Sequence, residues 1–311
     1  MRWATFQIPP ATTERIGVVR GDEICAMAAG PKLIDLLGDD GERLAAAGAG
    51  RSRRPPRWCG SIACGCSPPI SRPPAVRDFM TFRQHIEEIR KSQGLELPKQ
   101  FFEIPVFYFT NPHALIGAHD PVPMPPGCQN LDFECEIGVV IGRDGYNLDP
   151  EERRRSRRRL RLFNDWSARD VQRNEMEMRL GPAKGKDTAT TLGPWLVTKD
   201  EIEPWRRQNG YDLEMVVSGQ RPRVRLATSG RTPTGRSARS SPTRPVGTKV
   251  CAGDAWGRAP AATAVLAELR ARDAATIPVA SCRRRDRLRG RASRPHRQPD
   301  RRRAAADPAA P

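Results

Sequence analysis

The sequence predicts an α+β fold, and three observations carry that prediction. Short runs with a period of two recur along the chain, most clearly Leu131–Gly142, where apolar and acidic residues alternate. Helical periodicity is confined to a few windows, the best being Asp78–Gln93, with apolar residues at Phe79, Phe82, Ile86 and Ile89. No internal repeat is visible, which excludes solenoids and propellers.

Taken in order, residues 1 to about 30 read as short strands. Helical pieces follow near Pro31–Leu37 and Glu42–Ala47, with Gly38-Asp39-Asp40-Gly41 as the turn between them. Gly50–Cys66 is rich in Arg, Pro and Gly and reads as a linker, and Pro68, Pro69, Pro73 and Pro74 impose extended backbone after it. The window Asp78–Gln93 is expected to be a helix. Glu103–Phe109, Leu131–Gly142 and Leu213–Ser218 are expected to be strands, and Asp149-Pro150 marks a helix start. Three regions result: 1–66, a small N-terminal domain and linker; 67–220, a catalytic domain; and 221–311, an Arg/Ala/Pro-rich remainder or tail.

The chain of 311 residues carries a formal charge of +17, which ordinarily suggests a nucleic-acid or anionic membrane partner. Its distribution argues otherwise. Residues 75–152 hold 6 Lys+Arg against 13 Asp+Glu, and 162–220 hold 8 against 10, so the segments with ordinary composition are acidic. The positive charge lies in 51–57, in RRRSRRRLR (153–161) and beyond Gln220, where there are 21 Arg and one Lys. No apolar run reaches the 18 or more residues of a membrane span and MRWATFQIPP has no signal pattern, so a cytoplasmic location without a membrane partner is expected. The eight cysteines are dispersed, which argues against a disulfide scaffold, and Cys59, Cys64 and Cys66 lack a fourth zinc ligand of fitting spacing.

The residues that carry chemistry are concentrated. Asp132, Glu134 and Glu136 in DFECE should project from one face of a strand, where three carboxylates repel one another unless a cation compensates them. Leu162–Trp195 adds Asp165, Arg169, Asp170, Gln172, Lys184, Lys186 and Thr188, interleaved with glycines that allow close backbone approach. Such a set suits a hard cation and an anionic substrate. Taken alone, Asp165 reads equally well as a helix N-cap, and Arg169 and Lys184 as members of surface ion pairs.

Four segments, VRDFMTFRQHIEE (76–88), DFECE (132–136), NDWSARDVQ (164–172) and KGKDTATTLGPW (184–195), resemble the fumarylacetoacetate hydrolase family. The similarity runs from about Ser67 to Arg153 and from Leu162 to Gln220, with a weaker match over Met1–Gly48. The resemblance implies a rolled, largely antiparallel catalytic sheet. It implies a divalent metal, Mg2+ foremost with Mn2+ or Ca2+ as alternatives, held by Asp78, Glu134, Glu136 and Asp165, with Thr188 near the metal shell. It makes His85 the base that activates water, and seven residues after Asp78 on a helix would put both on one side. Lys184 would stabilise the developing oxyanion, with Lys186 standing where the family usually has an aromatic residue, so the choice between the two lysines stays open. Tyr108, Arg169 and Gln172 would contact the substrate. His113 and His119 read as structural or exposed. The reaction implied is hydrolysis of a carbon–carbon bond in a small β-diketo acid by a homodimer; relatives with similar ligands decarboxylate, isomerise or dehydrate.

The chain departs from the family in RRRSRRRLR and after Gln220, where the expected strands, Gly/Thr-rich loop and glutamate are not recognisable. Two stretches are exceptions: GTKVCAGDAWG (247–257), which resembles a family glycine-aspartate stretch, and LAEL (266–269), which matches again. Abrupt boundaries and an Arg-without-Lys bias suggest translation of a GC-rich gene in a shifted frame. Two further classes therefore stand beside the enzyme: an inactive, frame-damaged relative, and a binding protein whose basic tail contacts nucleic acid non-specifically.

Overall fold

A computed structural model describes residues 1–8, 10–21, 23–49, 66–80, 86–87, 90–91, 94–103, 106–148, 157–207, 210–211, 213–219, 224–228, 249–258 and 278–282. The strands are β1 (Arg2–Gln7), β2 (Glu14–Arg20), β3 (Glu23–Ala26), β4 (Cys66–Ser67), β5 (Val76–Phe79), β6 (Phe107–Thr110), β7 (Leu115–Ile116), β8 (Leu131–Asp132), β9 (Cys135–Ile141) and β10 (Gly145–Tyr146). They continue as β11 (Arg157–Asp165), β12 (Ser167–Ala168), β13 (Thr190–Thr198), β14 (Arg206–Arg207), β15 (Gly210–Tyr211), β16 (Leu213–Gly219), β17 (Val224–Thr228), β18 (Lys249–Val250), β19 (Ala255–Arg258) and β20 (Pro278–Cys282). The α-helical segments are α1 (Glu42–Ala49), α2 (Gln100–Glu103), α3 (Arg169–Met176) and α4 (Lys199–Ile202).

Eleven strands form one sheet, in the order β3-β2-β1-β13-β11-β9-β19-β5-β6, with β4 added to β1 and β7 to β13. Its pairs are antiparallel except β13 with β7 and β19 with β5. Few helices and a mostly antiparallel sheet make this the expected α+β class. The N-terminal strands are hydrogen-bonded into the same sheet, through Arg2 opposite Val197 and Trp3 opposite Leu196. A separate three-stranded sheet joins β17, β16 and β20.

Among the described residues, three apolar clusters hold the sheet. Trp3, Ile16, Val18 and Leu196 pack with Leu33, Leu37 and Leu44 from the segments that cover one face. Phe6, Val19, Ile24, Cys66 and Trp195 fill the opposite side, so β1 is buried on both faces. Each such aliphatic or aromatic side chain contributes about 1.5–3 kcal/mol on burial. Val76, Phe163, Leu192 and Ala255 form a smaller cluster at the centre of the sheet. Asp39 starts α1 by accepting from the backbone N–H of Gly41 and Arg43, as an acceptor ahead of a helix should.

The structure corrects three element boundaries. Asp78 lies on β5, paired with β6 and β19, so the helical spacing to His85 does not apply. Gln100–Glu103 is a helical turn and the following strand begins at Phe107. Leu131–Gly142 is broken: β8 pairs with β12, and β9 pairs with β11 and β19. The last part of the arginine run, Arg157–Arg161, is the start of β11, which lies between β9 and β13. There Arg161 is buried, and its guanidinium nitrogens have no hydrogen-bond partner among the described residues. Burial alone pushes its pKa down to about 9, well below the ordinary arginine range. His85, Cys59, Cys64 and Asp149-Pro150 lie outside the described residues.

Candidate functional site

Strand register brings the acidic residues together. Asp78 on β5 is opposite Gly257 of β19 and Tyr108 of β6, while Glu136 on β9 is opposite Phe163 of β11. At the end of β11, Asp165 and Glu134 exchange backbone hydrogen bonds of 3.1 Å in each direction. Asn164 adds a side-chain acceptor for the Glu134 N–H at 3.0 Å. With side chains alternating along each strand, Asp78, Glu134, Glu136 and Asp165 share the face that carries Phe163, Val76 and Ala255 beneath them.

Asp78, Glu134 and Asp165 are all buried and each offers an oxygen within 4.8 Å of the others'. Glu136 is buried beside them; its Oε2, like Asp165 Oδ1, has no hydrogen-bond partner among the described residues. Gly257 permits this packing: a Cβ there would stand 2.7 Å from Glu136 Oε2 and 2.5 Å from the Phe163 ring. Burial, then the charges of Asp165 and Glu134, pushes Asp78 up to about 7 from 3.8. Burial and the neighbouring carboxylates likewise hold Glu136 well above the usual carboxylate range. Orphaned oxygens and mutually repelling carboxylates in a dry pocket fit a hard dication such as Mg2+, Mn2+ or Ca2+.

Among the described residues, two cations enter the pocket. Lys186 is buried, with Nζ 2.6 Å from Asp165 Oδ2, 3.1 Å from Glu134 Oε1 and 2.7 Å from Ser167 Oγ. Burial opposes its charge, but Asp165 and Glu134 outweigh that cost and hold the ammonium above the ordinary lysine range. Arg169, in the first turn of α3, donates from Nε to Asp132 at 2.7 Å, from Nη2 to Glu134 at 2.6 Å and from Nη1 to Gln172 at 3.1 Å. The Tyr108 hydroxyl donates to Asp78 Oδ2 at 2.7 Å and also contacts Asp165 Oδ2. One hydroxyl hydrogen serves one acceptor at a time, so the trio is balanced when a carboxyl carries a proton, and Asp78 is the group placed to take it.

Most of the residues singled out in the sequence therefore converge: Asp78, Glu134, Glu136, Asp165, Tyr108, Arg169 and Gln172. Lys184 does not. Its side chain is 79% exposed and pairs with Asp187 at 2.8 Å, so of the two lysines it is Lys186 that enters the pocket. The reason is local: a 3-10 turn over Lys184–Lys186 points successive side chains in different directions. Thr188 is half-buried, two residues beyond Lys186. Asp132 and Ser167, as direct partners of Arg169 and Lys186, were not singled out for those roles, although Asp132 stood in the same alternating run. Asp170 is structural: it accepts from Gln129 N–H, which with the Cys128 thiol brings its carboxyl down to about 2.

The family model described as fumarylacetoacetate (FAA) hydrolase C-terminal matches residues 75–231, about half the chain and the whole of this pocket as described except Gly257. The chain belongs to the fumarylacetoacetate hydrolase family. Within that family it is 34% identical over 137 residues to human mitochondrial oxaloacetate tautomerase FAHD2A, a match covering 43% of this chain and 40% of that one. It is 30% identical over 149 residues to fumarylacetoacetase of Mus musculus, covering 41% and 35%. The matches thus span well under half the length of these curated relatives. Among solved structures, fumarylacetoacetate hydrolase from Exiguobacterium antarcticum superposes with a TM-score of 0.65 at 17% identity, covering 95% of this chain and 100% of that one. 5-Carboxymethyl-2-hydroxymuconate delta-isomerase from Mycobacterium smegmatis gives 0.58 at 19%, covering 95% and 98%. These two share the family fold. No helix among the described residues is long and apolar enough to cross a membrane.

Proposed function

We propose that the chain is a divalent-metal-dependent enzyme that hydrolyses a carbon–carbon bond in a small β-diketo acid of the fumarylacetoacetate or acylpyruvate type. The observation that carries this reading is the buried set Asp78, Glu134, Glu136 and Asp165, with orphaned oxygens and Lys186 at its rim. A dication bound there would polarise the substrate's dicarbonyl oxygens. Asp78, Glu134, Glu136 and Asp165 would hold it, and Lys186 would face charge developing on a substrate oxygen. Arg169 and Gln172 would orient the substrate by hydrogen bonds, and Tyr108 would fix the two carboxylates it touches. His85 would take the proton of the attacking water; the water oxygen bonds to a carbonyl carbon, the adjacent C–C bond breaks, and its electron pair leaves as an enolate that is then protonated. The substrate is a free small molecule, the enzyme a homodimer, and neither membrane nor nucleic acid takes part.

The second reading is tautomerisation or isomerisation of a keto acid, favoured by the 34% identity to an oxaloacetate tautomerase. It needs the same enolate stabilisation without bond cleavage. Ultraviolet absorbance of fumarylacetoacetate, acylpyruvates and enol-oxaloacetate with Mg2+ or Mn2+ separates the two, with Asp165→Ala as control. Cleavage products that require the metal and Asp165 support hydrolysis; enol–keto interconversion alone supports the tautomerase. No turnover of any substrate, together with a poorly folded circular-dichroism signal, favours a frame-damaged relative.

A further inference from the structure

On the α3 side, the turn that carries Lys186 is held by one carboxylate and by close packing of Gly185 on Gln172. The connection from α3 to the turn runs through Met178 and Leu180, which are 82% and 91% exposed and so contribute almost no packing. Glu175, in the last turn of α3, spans that gap. Its Oε1 accepts from the backbone N–H of Ala183 at 2.9 Å and of Gly185 at 3.0 Å, and its Oε2 from that of Lys184 at 2.6 Å. Three successive N–H groups converging on one carboxylate make a charge-assisted cradle. The contact draws the turn directly onto the helix: a Cβ on Gly185 would lie 2.6 Å from Gln172 Cβ and 2.7 Å from Gln172 Cα. On its other side the turn is tied to β6, where Thr110 Oγ1 donates to Lys186 O at 3.0 Å, and to Asn111, which donates to Asp187 at 2.8 Å.

We propose that Glu175 is a positioning residue for Lys186: it clamps the Lys184–Lys186 turn to the helix that bears Arg169 and Gln172, and so fixes the pocket's two cations relative to each other. This rests on the reading of Lys186 as the pocket's working cation. Glu175 itself touches none of the four carboxylates, so its effect passes through the backbone of the turn. Releasing the clamp frees the turn on one side and lets water reach the Lys186 ammonium.

The test compares Glu175→Ala and Glu175→Gln in the full chain. Lys186 is followed by acylation with N-acetoxysuccinimide and peptide mass mapping, with the exposed Lys184 as internal standard. In the unaltered chain Lys184 is modified and Lys186 is protected. Glu175→Ala should raise Lys186 modification by about tenfold or more as the turn opens locally. With a substrate that turns over, kcat should fall by about 10- to 100-fold while KM changes by less than about threefold, as expected for a misplaced group. Glu175→Gln keeps Oε1 for Ala183 and Gly185 and should fall between the two. Unchanged protection of Lys186 in folded Glu175→Ala overturns the proposal. If that variant does not fold, unchanged protection in Glu175→Gln does the same. Acylation needs no turnover, so a chain inactive on every diketo acid would refute the proposed reaction while leaving this test intact.

Discussion

The ammonium of Lys186 lies 2.6 Å from Asp165 Oδ2, and both side chains are sealed from solvent, at 2% and 0% exposure. A buried pair in this setting costs more to break than it contributes when made, because removing one partner strands the other. Lys186→Met should therefore lower thermal stability by about 3–5 kcal/mol when measured by denaturant unfolding without added metal. The same change should reduce kcat by about 100-fold or more. Lys184→Met, at an exposed pair, should change stability by less than about 1 kcal/mol. Equal effects of the two substitutions would contradict the assignment.

Asp78 ties pH to stability and to metal. Its folded pKa of about 7 is raised above 3.8, so the folded state binds the extra proton between those values. Stability from this group is present below about pH 4 and is lost as pH rises through 7. In chelator, the melting temperature should accordingly fall between pH 5 and 8. Mg2+ or Mn2+ should restore it most at pH 8 and bind with proton release near pH 7, which calorimetry in two buffers of different ionisation enthalpy measures. A metal response independent of pH would exclude Asp78 from the site.

Asp132 is the buried anchor of the Arg169 guanidinium, at 2.7 Å from Nε. Asp132→Asn removes the charge but keeps the shape. KM should rise about tenfold, with kcat changing much less, since a charge-assisted hydrogen bond of about 1.5–3 kcal/mol is lost behind a substrate contact. Steady-state kinetics on the best diketo acid decide it; an effect on kcat alone would place Arg169 in the chemical step.

Arg161 burdens the fold. A buried guanidinium with no hydrogen-bond partner among the described residues costs several kcal/mol, and its folded pKa, pushed down to about 9, means that the penalty is full below pH 9 and fades above it. Arg161→Leu should raise stability by about 1–4 kcal/mol at pH 7, a rise of several degrees in melting temperature. The gain should shrink as pH approaches 11.

The sequence revealed ligands more readily than it revealed their neighbours. DFECE was legible because strand alternation is local, and Glu134 and Glu136 do share a face. Asp78 was read onto a helix because Phe79, Phe82, Ile86 and Ile89 repeat at helical spacing, whereas β5 is set by pairing with β6 and β19, which no local pattern encodes. Lys184 and Lys186 are both lysines flanking a glycine, and only the 3-10 turn decides which one is buried. Tyr108 is expected from the sequence to meet substrate, and the register between β5 and β6 also sets its hydroxyl against Asp78 and Asp165, contacts that no local pattern announces.

The place of β19 has a bearing on how the molecule is made. Ala255–Arg258 is the strand that joins β5, with Asp78, to β9, with Glu136. During synthesis, both neighbours leave the ribosome more than a hundred residues before the strand that unites them. Until it arrives, each presents a bare edge, and loop closure over that distance is slow. The carboxylate pocket is thus among the last parts to assemble, and any nascent chain ended before Ala255 lacks the strand that hydrogen-bonds the Asp78 strand to the Glu136 strand.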